Sequence, residues 1–188
     1  MSLKLWITKR LGHGANDVFI DELCFIEKTR RADVVHANGK LCAFEIKSAA
    51  DSLYRWESQQ EAYLSCFDEV WLCCHSRHVE KALLITDRKV GLLVSDDYGD
   101  LVQLRSARKN LAGDKYNLTG FLWREELDGV CKEFGLPVKS AMRIREVRLL
   151  VSKALSWDEI MVNVLNALKA RYGGQIRSSI DSSSSSAT

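Results

Sequence analysis

Apolar and polar positions alternate from residue 29 to residue 47, T-R-R-A-D-V-V-H-A-N-G-K-L-C-A-F-E-I-K, as two β-type runs around Asn38-Gly39. Both residues of that dipeptide accept left-handed backbone, so the pattern predicts a hairpin. Residues 48–51 form a polar break. Residues 52–67 then take helical spacing, with Leu53, Trp56, Gln60, Leu64 and Phe67 on one face and Asp51 or Ser52 as the N-cap. Residues 70–74 read as a buried strand, 78–84 as a short helix, and 90–94 with 101–104 as strands joined by the turn D-D-Y-G-D. Beyond Arg105 the period becomes helical. One stretch, 125–134, is stopped by Gly135-Leu136-Pro137, and a second covers 145–155. A third opens on the capping box Ser156-Trp157-Asp158-Glu159 and runs to Tyr172. Helix, hairpin, helix and further strands followed by a helical end predict an α/β (α+β) domain. The expected division is an α/β core over residues 1–112 and a helical extension over 113–172, packed on the core because Leu150, Ile160, Val164 and Leu168 need cover. The serine-rich residues 173–188 are expected to be disordered.

Composition narrows the class. At 188 residues the chain suits one domain, and 46% hydrophobic with 28% charged residues excludes a disordered or coiled-coil chain. Lys+Arg 27 against Asp+Glu 25 leaves +2, too balanced to bind nucleic acid by bulk charge, so any such contact must come from local patches. No apolar run approaches a membrane span and the start carries no signal-peptide core, which predicts a cytoplasmic protein without membrane contact. Cysteines at 24, 42, 66, 73, 74 and 131 lack zinc-like spacing and are expected to be buried free thiols.

The residues with chemical potential lie in the hairpin. Glu45 and Lys47 are two apart on one strand and share a face, and Asp33 stands on the preceding strand. Two carboxylates and a lysine make a site for a hard cation, Mg²⁺ or Mn²⁺, with an ammonium to orient water or steady phosphate charge. Register decides whether the three meet. A two-residue turn at Asn38-Gly39 would put Asp33 and Glu45 on opposite faces. A three-residue loop, Ala37-Asn38-Gly39, pairs His36 with Lys40 and Asp33 with Ala43, and brings the acids to one face as diagonal neighbours. The other face is then Ala32, Val34, His36, Cys42, Phe44 and Ile46, a credible core.

Asp33 followed by Glu45-x-Lys47 resembles the PD-(D/E)XK nuclease superfamily, with Ala32 in the place of its proline. Gln59-x-x-x-Tyr63 looks like the Q-x-x-x-Y motif of the RecB-like branch. More closely, R-x-D, F-E-I-K-S, D-S-L-x-R, Q-x-x-A-Y, F-D-x-V and L-W-R-E-E resemble a family of small bacterial and phage proteins with "sce"-type locus names, a family without a settled role. The resemblance implies a restriction-endonuclease-like mixed sheet flanked by helices. It also implies metal-dependent phosphodiester hydrolysis, with Asp33 and Glu45 as metal ligands, Lys47 as the catalytic lysine, and Gln59 and Tyr63 flanking the site. The superfamily's further acid on an N-terminal helix is assigned to Glu22, with Asp17, Asp21 and Glu27 as competitors. Relatives often carry an acid where Ala49 stands.

Every feature also has a plain reading. An isolated Glu-x-Lys on a strand is usually a solvated face, a tyrosine at Tyr63 usually packs in a core, and the four histidines show no ligand spacing. Lys28, Arg30 and Arg31 beside the site are candidate phosphate contacts, as are Arg143, Arg145 and Arg148, yet such runs are commonly solvated surface. Two functions follow: a metal-dependent nuclease acting on DNA, or a nuclease-like module that binds nucleic acid, a protein partner or a second copy without catalysis.

Overall fold

The computed structural model describes residues 2–173. Six strands lie in sequence order across a single mixed sheet: β1 (Val18–Phe25), β2 (Arg30–Ala37), β3 (Leu41–Lys47), β4 (Glu69–His75), β5 (Gly91–Ser95) and β6 (Leu101–Arg105). The β3–β4 and β4–β5 pairs are parallel and the others antiparallel. Parallel neighbours need crossovers, supplied here by α2 (Trp56–Leu64) and by a 3-10 turn (Ser76–His78) leading into α3 (Val79–Ile85). The N-terminal α1 (Leu3–Leu11) precedes the sheet, and α4 (Lys115–Thr119), α5 (Arg124–Glu133), α6 (Ile144–Ala154) and α7 (Trp157–Tyr172) follow it. This is the expected α/β arrangement, a mixed sheet flanked by helices with a helical C-terminal part. Among the described residues no helix is long and apolar enough to cross a membrane.

The sheet separates two cores. The larger joins Val35, Ala43 and Leu72 of the sheet to Trp56, Tyr63 and Phe67 from the α2 region and to Leu118, Val147, Val151, Ile160, Val164 and Leu168 of the later helices. The helical extension therefore shares one core with the strands, and Leu150 packs at its margin. On the other face α1 places Trp6 and Ile7 against Val34, Cys42, Phe44, Trp71 and Leu93. Trp71 is seated so closely on Gly91 that a Cβ there would fall 2.3 Å from its ring. The capping box at Ser156 forms, with its hydroxyl accepting from the Glu159 N–H at 3.3 Å. The proposed cap of the 52–67 helix does not. That helix starts at Trp56, while Asp51 closes a turn by accepting the Ser48 N–H at 2.7 Å. Cysteines 42, 66, 73, 74 and 131 are buried free thiols, whereas Cys24 is exposed. Apart from Gly173, the serine-rich segment expected to be disordered lies outside the described residues.

The hairpin keeps its predicted parity and changes its register. Val34 faces Phe44 and Ala37 faces Leu41, so the loop is Asn38-Gly39-Lys40 instead of Ala37-Asn38-Gly39. Gly39 takes the left-handed position at φ 95, and the Asn38 amide donates to the Leu11 carbonyl at 3.1 Å, which ties the loop to the end of α1. A shift of two residues conserves faces. The paired residues end at Val34↔Phe44, one step short of Asp33 and Glu45, which this register would set opposite each other in place of the diagonal expected.

Between β1 and β2 the alternation resets. Ile20, Leu23 and Phe25 all enter the larger core, as do Ala32, Val35 and Ala37, so each strand skips one position, at Glu22 and at Asp33. The paired residues run Asp21↔Val34 and then Leu23↔Ala32, omitting those two. Glu22 has φ 57, a left-handed value that costs a non-glycine residue about 1 kcal/mol or more. Ala32 consequently leaves the face assigned to it. Ile46 is 43% exposed and forms no part of the core expected there.

Candidate active site

Beyond the last paired residues of β2 and β3 the sheet opens into a polar cleft of about 850 Å³. Asp33, Glu45, Lys47 and Gln59 line it, together with Glu22, Arg30 and Arg31. Glu45 is its buried anchor, 3% exposed. One carboxylate oxygen receives Lys47 Nζ at 2.5 Å and Gln59 Nε2 at 3.2 Å, and the other receives the Tyr63 hydroxyl. Gln59 and Tyr63 are four apart on α2, so one helical face delivers both donors. Tyr63 also donates to the Arg31 carbonyl at 3.2 Å, linking α2 to β2, while its ring packs edge-on against Phe25. The tyrosine is thus both core and site. Burial pushes its hydroxyl pKa up, and the Glu45 charge adds to the effect, so it acts as a hydrogen-bond donor.

Asp33 is half-exposed and accepts the Ile46 N–H at 2.7 Å, an interstrand bond made by a side chain where the ladder is interrupted. Burial raises its carboxyl pKa, and the charges of Glu45 and Glu22 raise it further against the opposing Ile46 N–H and Lys47. Five acids line the cleft, Asp21, Glu22, Asp33, Glu45 and Asp51, and a cation relieves the repulsion that Glu45 and Glu22 exert on Asp33. The donor set is oxygen throughout, and Gln59 Oε1 is buried with no hydrogen-bond partner. These residues fit a hard divalent ion.

Glu22 reaches the cleft, but from strand β1; the N-terminal helix L-K-L-W-I-T-K-R-L contains no acid. Its carboxylate pairs with Arg31 at 2.6 Å. The competitors have other partners: Asp21 binds Lys4 at 2.6 Å, Asp17 binds Lys169 at 2.9 Å, and Glu27 binds Arg145 at 2.5 Å and Arg148 at 3.7 Å. Arg30 and Arg31 line the cleft, whereas Lys28 lines a separate pocket with Arg145, Arg148 and Trp123. Lys28 is therefore not brought to the candidate site. The sequence reading missed Arg55 and Ser58, which line the cleft from the start of α2. Counting four residues back from Gln59 along its own helical face leads to Arg55.

His36 lies on the face opposite Glu45, as the hairpin parity expects, and there it meets a second histidine. His36 is fully buried, with its Nε2 3.1 Å from His13 Nδ1 and its ring stacked on Phe19 at 4.6 Å. Burial, reinforced by the His13 charge, pushes its pKa down to about 4. Sequence spacing gave no hint of this, because 23 residues separate the two rings.

Comparison with known proteins identifies the chain's relatives. Over 170 residues it is 29% identical to protein cII of Enterobacteria phage P4, an alignment covering 89% of this chain and 64% of the phage protein. The chain thus spans less than two thirds of that relative's length. A solved protein of unknown function from Silicibacter pomeroyi superposes with a TM-score of 0.41 at 16% identity, covering 68% of this chain and 86% of that one. The phage relative agrees in broad terms with the expected likeness to a small family with phage members. The family model described as bacteriophage P4 protein cII matches residues 3–187, so the chain belongs to the bacteriophage P4 protein cII family.

Proposed function

We propose that this protein is a metal-dependent nuclease that hydrolyses phosphodiester bonds in DNA. The observation that carries the reading is the convergence of Asp33, Glu45 and Lys47 in one open polar cleft, with Gln59 and Tyr63 donating to Glu45 from α2. Asp33 and Glu45 would hold Mg²⁺ or Mn²⁺, and Glu22, which lines the same cleft in an ion pair with Arg31, would have to leave that pair and move toward them to join. A bound divalent ion supplies charge neutralisation at the phosphate and a lowered pKa for water. The chain's residues do the rest. Lys47, released from Glu45, orients the attacking water or stabilises charge on the transferring phosphate. Gln59 and Tyr63 keep the Glu45 carboxylate aimed into the cleft. Arg30, Arg31 and Arg55 stand on the cleft walls, where phosphates of a bound strand would lie.

A second reading is a nuclease-like module without catalysis that binds nucleic acid, a protein partner or a second copy. It draws on the closed Glu45–Lys47 pair, whose side chains are only 4% and 12% exposed. Incubating the full chain with duplex DNA, single-stranded DNA and RNA, with Mg²⁺ or Mn²⁺ and with EDTA, separates the readings. Metal-dependent cleavage of DNA that disappears in Lys47→Ala is the expected result. Binding without cleavage by the wild type, under every metal condition, establishes the second reading instead.

A further inference from the structure

At the far end of β2 from the cleft, a second cluster gathers at the sheet's open edge. His13 and Asp17 come from the loop between α1 and β1, and His36 comes from β2. One ligand atom from each lies within 4.8 Å of the other two. The His13 and His36 ring nitrogens are 3.1 Å apart. Ions that bind imidazole in tetrahedral geometry at roughly 2.0–2.1 Å space their ligands by roughly 3.3 Å, so side-chain rotations close the set around one ion. His36 is completely enclosed, yet its Nδ1 has no hydrogen-bond partner. An ion held by Nε2, the nitrogen that faces His13, leaves Nδ1 as it is, so the spacing of the three ligand atoms is what points to the site. Asp17 accepts the Gly14 N–H at 2.7 Å on one oxygen and Lys169 Nζ at 2.9 Å on the other. Each oxygen keeps a lone pair for a further partner.

We propose that His13, Asp17 and His36 form a binding site for a divalent transition metal of the zinc class, separate from the hard-cation site in the cleft. Two imidazoles and one carboxylate suit Zn²⁺ and its neighbours, while the all-oxygen cleft suits Mg²⁺ or Mn²⁺. Position gives the site a structural role. β1 is an edge strand, α1 covers one face of the sheet, and α7 reaches the same edge through Lys169. An ion here would staple the α1–β1 loop to β2 beside the C-terminal helix.

The test uses the full chain, stripped of metal with EDTA, dialysed, and titrated with Zn²⁺ by calorimetry and with Co²⁺ by visible absorption. One saturable equivalent of Zn²⁺ per chain is expected, with the intense Co²⁺ bands of a four-coordinate site and a raised midpoint of thermal unfolding. His13→Ala is the main variant, because His13 sits in a loop and its loss leaves the cores intact. It is expected to weaken Zn²⁺ binding by more than about 100-fold, beyond the roughly 10–100-fold typical of losing an outer partner of a ligand. Asp17→Asn is expected to weaken it as well. Asp33→Asn, in the cleft, is expected to leave it unchanged. The proposal is overturned if Zn²⁺ does not bind saturably, if His13→Ala binds it as the wild type does, or if binding is lost in Asp33→Asn and kept in His13→Ala.

Discussion

Two polar clusters are built on strand β2 only three residues apart, at Asp33 and at His36, and they differ in chemistry and in what they leave unsatisfied. The Asp33 cluster opens to solvent, is rich in carboxylates, and places its buried acid Glu45 among three donors. The His36 cluster is rich in imidazole nitrogen, and its central ring, the one enclosed member, has an unmatched nitrogen. Parity separates them. Asp33 shares the α2 side of the sheet with Glu45, while His36 turns toward Phe19 and His13. One strand thus serves two environments, one rich in carboxylate oxygen and one rich in imidazole nitrogen.

The strongest way to break the comparison is catalytic. If the cleft alone performs chemistry, Lys47→Ala lowers metal-dependent cleavage by about 100- to 1,000-fold, the range for a lost transition-state donor, while His13→Ala leaves the initial rate near wild type. Initial-rate assays on one DNA substrate compare the two. Glu45→Ala tests how far the cleft also supports the fold. Because Glu45 is buried against Lys47 and Tyr63, its removal is expected to cost about 3–5 kcal/mol, read from urea unfolding. Glu45 is thus part of the buried structure as well as of the cleft.

Acid should act first on the other cluster. In the metal-free chain the folded His36 pKa of about 4 lies below the unfolded value near 6.5, so between these values the unfolded state binds more protons. Its contribution to stability is complete above pH 6.5 and is lost as pH falls through about 4, amounting to about 3 kcal/mol. Unfolding midpoints of wild type and His36→Gln, measured from pH 7 to pH 4, check this through a shallower slope in the variant. The smallest expected effect is Tyr63→Phe. It keeps the ring's packing and removes one donor from Glu45, costing about 1–3 kcal/mol. A loss well above that range would mean the hydroxyl also fixes β2 through the Arg31 carbonyl.

Much of the cleft was legible from residue order. Period-two alternation put Glu45 with Lys47, the requirement for an odd loop put Asp33 on their face, and four-residue helical spacing put Gln59 with Tyr63. Arg55 lay on the same helical face and was overlooked. Glu22 was assigned to a helix because the family resemblance implies an acid there, and nothing local in F-I-D-E-L-C-F marks the left-handed residue that resets a strand's alternation.

The sequence by itself determined the α/β order, the parity of the hairpin, the Ser156 cap and the helical period of the C-terminal part, and the grouping of Asp33, Glu45, Lys47, Gln59 and Tyr63. These depend on neighbours a few positions away, where propensity and periodicity act directly. Only the tertiary structure decided the two-residue shift in register, the break in pairing at Glu22 and Asp33, the exposure of Ile46, and the meeting of His13 with His36. Each depends on contacts between segments distant in sequence. Asn38 binding the end of α1 is one such contact, and the convergence of a loop, a strand and α7 at the sheet edge is another. Their free energy comes from packing and hydrogen bonds that exist only once the layers have assembled.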